Sequence, residues 1–279
     1  MQIKTIEDGL RLGKEKLVAL GKTVSFRADL LDWIEENMNR VSSDREVKEL
    51  ECGTCEGSGV LISRPRSRGR LHPSSFKPDA CLQKHWYDLI DDGDEVEERG
   101  NFEAETLMIF QTGHWVHDGL QGFAAKMYGD TFEAEVPARI DDYFISGSAD
   151  GERTVPQLRY GFEFKTIKEQ RFNELTGVKE DHIWQGTVYM KALDLPVMLF
   201  IYFNKNNSHL LEFVSPFNPA VWEEIEETLI TPVLEAGNDG PGAVTPRGRE
   251  VTKWTCRDCG YNHGCPLSKF KPGRRRRKR

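Results

Sequence analysis

From Thr131 onward apolar and polar residues alternate at the period of a pleated strand, and three stretches carry the pattern: Phe132–Ala138, Tyr143–Ser148 and Tyr160–Thr166. Val197–Phe203 is a continuous apolar run, which suits a strand buried on both faces, and Leu210–Ser215 reads as a further strand. Helical spacing governs the rest. Residues 1–50 read as two helical segments broken near Gly21, with Ile3, Ile6, Leu10, Leu17 and Leu20 in the first and Phe26, Leu30, Leu31, Ile34 and Met38 in the second. Cys81–Leu89, roughly Phe102–Met127, Asp181–Leu193 and Pro219–Ala236 continue the helical set, the last with Trp222, Ile225, Leu229 and Val233 along one side. Gly237–Gly248 is a linker rich in glycine and proline. Interleaved strands and helices predict an α/β domain, a mixed sheet with helices on both sides.

Two strands around a turn hold the most suggestive chemistry. Phe144–Ser148 leads into Asp150, and on the next strand Glu163 and Lys165 are two residues apart, so they share one face while Phe162, Phe164 and Thr166 take the other. The phenylalanines are expected to pack into the core and to hold Glu163 and Lys165 rigidly at a surface, with Asp150 arriving from the neighbouring strand. Two carboxylates and a lysine suit metal-assisted phosphodiester hydrolysis: carboxylates hold Mg²⁺ or Mn²⁺, and the ammonium orients water or an oxyanion. Alone, the same residues also describe an ordinary ion pair on a strand surface.

Composition bounds the class. A chain of 279 residues, 30% charged and 38% hydrophobic, is a soluble globular protein with one core, or one core and a small appendage. No apolar run approaches the length of a membrane span, and Met1–Asp8 lacks the apolar core of a secretory signal, so the expected location is cytoplasmic. Six cysteines in that setting point to metal ligands before disulfides. The net charge of −7 is unevenly spread: residues 246–279 carry twelve lysines and arginines against Glu250 and Asp258, a local balance of +10 that leaves the remainder at −17. Much of the acid lies in Asp88–Glu105. The closing Gly273–Arg279 would attract polyanions without reading sequence, or serve only as a solvated tail.

The cysteines fall into two groups. Cys52 and Cys55 form a C-x2-C on a glycine-rich loop, half of a Zn²⁺ site with His72 as the nearest spare ligand, or two idle thiols. Cys256, Cys259 and Cys265 form C-x2-C-x5-C, a spacing that wraps one centre; His263 would complete a zinc site, or Cys81 the thiolate set of an iron–sulfur cluster. Ser63–Arg70 is a basic loop, a possible phosphate contact, and residues 91–100 an acidic one whose spacing does not match a calcium loop. His114 and His117 are three apart on a helix, and without further context each reads first as a buried, satisfied histidine. Gln185 and Tyr189, four apart, share a helix face.

Taken in order, these signals resemble the RecB-like branch of the PD-(D/E)XK nucleases, within it the single-cluster exonucleases of the CRISPR-associated (Cas-four) and AddB type, and most of all their shorter bacteriophage relatives. The matching residues are Cys81 with Trp86-Tyr87, Gly113…His117, Gly147…Asp150, Glu163…Lys165, Gln185…Tyr189 and Cys256/Cys259/Cys265. The match runs from about His72 to Pro266, roughly two-thirds of the chain. No one motif is specific, and the shared order carries the likeness.

The resemblance implies a restriction-endonuclease-like core with an iron–sulfur lobe. It implies divalent metal on His117, Asp150, Glu163 and the Phe164 carbonyl, with Lys165 positioning water and Gln185 and Tyr189 contacting DNA or the metal-site neighbours. It also implies a structural 4Fe–4S cluster on Cys81, Cys256, Cys259 and Cys265. The expected division is a helical N-terminal extension (1–70) bearing the C-x2-C loop, the nuclease domain (71–266) and a basic tail (267–279). Cys52/Cys55, the helical N-terminus and the arginine-rich tail lie outside the shared pattern. Function is then expected to be DNA-end processing or exonuclease action. The alternatives are a non-cleaving cluster- or zinc-bearing DNA-binding protein working with a recombination, replication or packaging partner, or a structural zinc protein.

Overall fold

Strands β3 (Arg159–Ile167) and β4 (Val197–Asn204) run parallel at the middle of a five-stranded sheet of order β1-β2-β3-β4-β5. The flanking strands, β1 (Phe132–Ile140) and β2 (Ile145–Thr154) on one side and β5 (Leu210–Pro216) on the other, pair antiparallel. This is a computed structural model, and it describes residues 2–38, 69–90, 104–240, 242–244, 256–257 and 259–269. Cys52, Cys55, most of the 63–70 loop, the 91–100 loop and the arginine-rich end lie outside the described residues.

Nine α-helices are described: α1 (Ile6–Leu12), α2 (Lys14–Gly21), α3 (Phe26–Met38), α4 (Leu82–Ile90), α5 (Ala104–Tyr128), α6 (Glu169–Asn173), α7 (Glu180–Leu193), α8 (Pro219–Ile225) and α9 (Thr231–Ala236). They cover the sheet on both faces, the expected α/β architecture. On one face Leu120 and Ala124 of α5, Leu17 of α2 and Phe26 and Leu30 of α3 bury Phe162 and Phe164. On the other, Trp184, Val188 and Tyr189 of α7 join Phe200 and Tyr202, with Trp222, Ile225, Leu229 and Val233 behind them. Two buried faces explain why Val197–Phe203 is apolar without alternation.

The amino-terminal segment is woven into this core. Ile3 bridges to Leu158 beside the β2–β3 turn, and the Phe26 ring meets Phe164 edge-on at 5.3 Å. It holds three helices where two were expected. A second break falls at Gly13, whose φ of +87° lies where only glycine rests easily. At Gly21 the reason is contact: a β-carbon there would lie 2.5 Å from Val214 Cγ1.

Two other boundaries move. The β2 strand begins at Ile145 and runs through Asp150 to Thr154, while Tyr143 closes a 3₁₀ turn and Phe144 is left-handed. Pro219–Ala236 is not one helix; a widened turn at Glu226–Ile230 separates α8 from α9. Pro232 has no N–H to return to the preceding turn and its ring crowds it, so the helix widens there.

Candidate active site

Asp150 sits where a ladder ends. Strands β2 and β3 pair as far as Gly151↔Phe162, and the next two residues, Asp150 and Glu163, do not pair. In that gap the Asp150 carboxylate replaces a backbone acceptor, and the Phe164 N–H donates to its Oδ2 at 2.6 Å. His117, projecting from α5, places Nδ1 3.4 Å from the same oxygen. Burial alone would lower the His117 pKa, but the hydrogen bond and charge of Asp150 more than offset it and the pKa stands above its ordinary value. Gly147 is required by contact, since a β-carbon would lie 2.7 Å from Pro73 Cδ. Gly113, one turn before His117, is under no such constraint: a β-carbon there would make only an ordinary 3.6 Å contact with Thr166 Oγ1.

Glu163 and Lys165 do share a strand face, but that face is not a surface. The α7 helix lies over it, and Glu163 is only 1% exposed. The ammonium of Lys165 donates to Glu163 Oε1 at 2.5 Å and to Gln185 Oε1 at 2.9 Å. Gln185 Nε2 in turn stands 3.5 Å from the Tyr189 hydroxyl. Gln185 therefore orients the lysine and Tyr189 closes the row, both buried. Burial pushes the Glu163 carboxyl up, more than Lys165 pulls it down. Burial also weakens the Lys165 ammonium, but the two carboxylates Glu163 and Asp150 outweigh it and hold its pKa high. The directions are compatible: at Glu163 the anion Asp150 opposes the cations Lys165 and His117, whereas the carboxylates around Lys165 all favour its charge.

Among the described residues, no three His, Cys, Asp or Glu side chains stand in metal-ligating geometry as they are. Protein donors occupy the acids instead, Phe164 N–H and His117 on Asp150 and Lys165 on Glu163. One atom is left over. Glu163 Oε2 is buried and has no hydrogen-bond partner. An orphaned carboxylate oxygen inside a protein is costly, and a hard cation taking oxygen ligands would satisfy it. Two carboxylates and an imidazole are ligand types that Mg²⁺ or Mn²⁺ accepts.

Three neighbours have no place in the sequence reading. His182 lies on the same α7 face as Gln185 and Tyr189, three residues earlier, and its Nδ1 meets the Tyr202 hydroxyl at 2.8 Å. Burial first, and Lys165 second, lower its pKa to about 4. Gln121 lies four residues beyond His117 on α5 and donates to the Asp150 carbonyl. Both continue a helical spacing from residues already singled out, a signal that extending the i, i+3, i+4 rows would have caught. Glu135, which accepts from Gln121 at 2.8 Å, leaves no such trace. His114 is exposed and stays outside the site.

The C-terminal cysteines meet the helix they were expected to meet. Cys81, at the start of α4, lines one pocket with Cys256, Cys259 and Cys265, together with Lys84, Tyr87 and Tyr261. The pocket is about 290 Å³ including the solvent at its mouth. All four are free thiols. His263 is exposed and does not line the pocket, so the zinc set that would use it is not assembled. Burial raises the thiols of Cys81 and Cys259, the latter to about 11, and neighbouring cysteines add to both shifts. Tyr87 and Tyr261 stack at 5.0 Å, and the Tyr261 hydroxyl donates to Asp88 at 3.0 Å, fastening the cysteine segment to α4.

No protein-family model and no curated protein matches the chain. Among solved structures it is similar to SSO0001, at 17% identity over 86% of this chain and 95% of that one, with a TM-score of 0.43. It is also similar to LHK-Exo, an alkaline exonuclease from Laribacter hongkongensis, at 15% identity over 60% of this chain and 87% of that one, TM-score 0.44. The LHK-Exo complex with dAMP gives 14% identity over the same shares and 0.43. Similarities of this size leave the chemistry to the site itself.

Proposed function

We propose that this protein is a metal-dependent nuclease that hydrolyses phosphodiester bonds in DNA, acting as an exonuclease or on DNA ends. The observation that carries the reading is Glu163 Oε2, a buried carboxylate oxygen left without a partner in a carboxylate whose other oxygen holds Lys165 and which feels the charge of Asp150. His117, Asp150, Glu163 and the Phe164 carbonyl would hold Mg²⁺ or Mn²⁺. Bound there, such an ion acidifies water and offsets charge on the phosphate. Lys165, fixed by Gln185, orients the attacking water and lends positive charge to the phosphate oxygens as negative charge builds on them. The +10 balance of residues 246–279 supplies a sequence-independent attraction for the DNA backbone.

The four thiols that line one pocket would be the ligands of a structural 4Fe–4S cluster, which would staple α4 to the C-terminal segment. Thiolate ligation would override the raised thiol pKa values by exchanging protons for metal. Work with a recombination or replication protein belongs to the same reading, as does a Zn²⁺ role for Cys52 and Cys55.

The test is a cleavage assay on anaerobically purified protein. It uses end-labelled single- and double-stranded DNA with Mn²⁺, Mg²⁺ or EDTA, and Lys165→Ala beside the wild type. Metal-dependent degradation that vanishes in the variant supports the reading, and the product ladder gives polarity. DNA bound but uncut under every metal would leave a binding protein in its place.

A further inference from the structure

Strand β1 holds a residue that leaves its own ladder. Glu135 has a φ of +52°, in the left-handed region where a β-carbon is crowded. On either side the β1–β2 register is regular, Ala134 opposite Gly151 and Val136 opposite Ala149, yet the pair between them, Glu135 and Asp150, is not made.

Side chains fill the missing pair. The amide nitrogen of Gln121 donates to the Asp150 carbonyl at 2.8 Å and to Glu135 Oε1 at 2.8 Å. Both acceptors are oxygens, so chemistry settles which end of the amide points there. The other Glu135 oxygen accepts from Ser148 Oγ at 2.8 Å. Gln121 is buried at 7% exposure and sits one turn beyond His117. A polar path thus runs from the helix that carries His117, through Gln121, to the backbone of Asp150, and Glu135 anchors its middle.

Packing gives Glu135 no reason to be there. Its side chain is exposed, and glycine would adopt the same φ without strain. Strain kept at a non-glycine residue beside a site is a pointer to function.

We infer that Glu135, acting through Gln121, is a positioning residue that fixes Asp150 against His117 for divalent-metal binding. The inference rests on the nuclease reading. Metal-site residues behind the ligands set ligand geometry, and their loss typically weakens metal affinity or activity by about 10- to 100-fold. Gln121→Met, which breaks the path while keeping volume, acts on the same link as Glu135→Gly, so the double variant should lose no more than either alone.

The experiment titrates Mn²⁺ into wild type, Glu135→Gly, Gln121→Met and the double variant, with free Mn²⁺ read by electron paramagnetic resonance. Steady-state cleavage and thermal melts are run on the same samples. Glu135→Gly relieves the backbone strain while losing two hydrogen bonds, so it should melt close to the wild type. It should nevertheless bind Mn²⁺ and turn over ~10-fold more weakly, with KM for DNA held. A stable variant that is a poorer metal binder is an outcome no purely structural role produces. Wild-type Mn²⁺ affinity in Glu135→Gly, or a loss of affinity matched by a fall in melting temperature, overturns the inference alone. A wild type that neither binds Mn²⁺ nor cuts DNA overturns the nuclease reading and this inference with it.

Discussion

The Asp150 carboxylate accepts the Phe164 N–H at 2.6 Å in the gap where β2 and β3 stop pairing, so one side chain serves both sheet and site. The two duties separate by substitution. Asp150→Asn keeps an oxygen for the amide and removes the charge, so it should fold with near-wild-type stability and lose Mn²⁺ binding and cleavage. Asp150→Ala strands the amide of a residue whose ring is fully buried, and should lose about 1–3 kcal/mol besides. Urea unfolding and Mn²⁺ titration on both variants check the split. Cleavage by Asp150→Asn at the wild-type rate would remove Asp150 from the ligand set.

Lys165 has two acceptors, Glu163 and Gln185, and only the second is neutral. Gln185→Leu keeps volume inside the core and leaves the ammonium held by Glu163 alone. The expected result is a kcat lower by about 10-fold, the loss typical when a supporting hydrogen bond is removed, with DNA affinity retained. On the proposed nuclease reading Lys165→Ala should cost at least ~100-fold, because it would remove the charge offered to the reacting phosphate. Single-turnover rates with DNA in excess of its dissociation constant measure both. Equal losses in the two variants would mean that Gln185 does more than orient the lysine.

Cys81 is separated from Cys256 by most of the chain, yet both line one pocket. A cluster there would join α4 to the C-terminal segment and act as folding energy. Anaerobic wild-type protein should then be brown with about four irons per chain, the content of a four-thiolate 4Fe–4S unit. Cys81→Ala should be colourless and should melt at a lower temperature. Stoichiometric zinc in a colourless wild type would replace the cluster with a zinc site of the same thiols.

Periodicity made the sheet and its helices legible, because a strand buried on both faces and an amphipathic helix write different spacings. Glu163 and Lys165 share a strand face by their spacing, and the structure joins Lys165 to Glu163 and to Gln185, while Asp150 meets the backbone of the same strand at Phe164. What the pattern does not encode is how layers stack. Glu163 was expected at a surface because nothing in Tyr160–Thr166 says that α7 will cover that face. The first three helices seemed an appendage because the contact of Phe26 with Phe162 and Phe164 spans more than a hundred residues. Glu135 was hidden by conformation. A left-handed glutamate has no compositional mark, and its neighbours continue an ordinary alternation.

His182 supplies a pH signature that needs no metal. Its Nδ1 faces the Tyr202 hydroxyl, which already accepts the Lys179 N–H at 3.1 Å, so the phenolic proton is directed to the imidazole and the ring is held neutral. Burial, then Lys165, with Lys179 adding and Asp181 opposing, depress its pKa from 6.5 to about 4. A histidine whose pKa is lower folded than unfolded contributes stability that is present above the unfolded value and lost as pH falls through the folded one. With each pKa unit worth about 1.4 kcal/mol, the drop between pH 6.5 and 4 is on the order of 3 kcal/mol. His85, lowered to about 4 by burial, adds to acid sensitivity in the same window. His182→Gln keeps an acceptor for the Tyr202 hydroxyl and cannot be protonated. It should match the wild type at pH 7.5 and be the more stable of the two at pH 4.5, the His85 contribution cancelling between them. Denaturant unfolding of metal-free protein at both pH values reads the difference. Parallel pH–stability curves would show that His182 does not set the acid response and leave it a packing residue of α7.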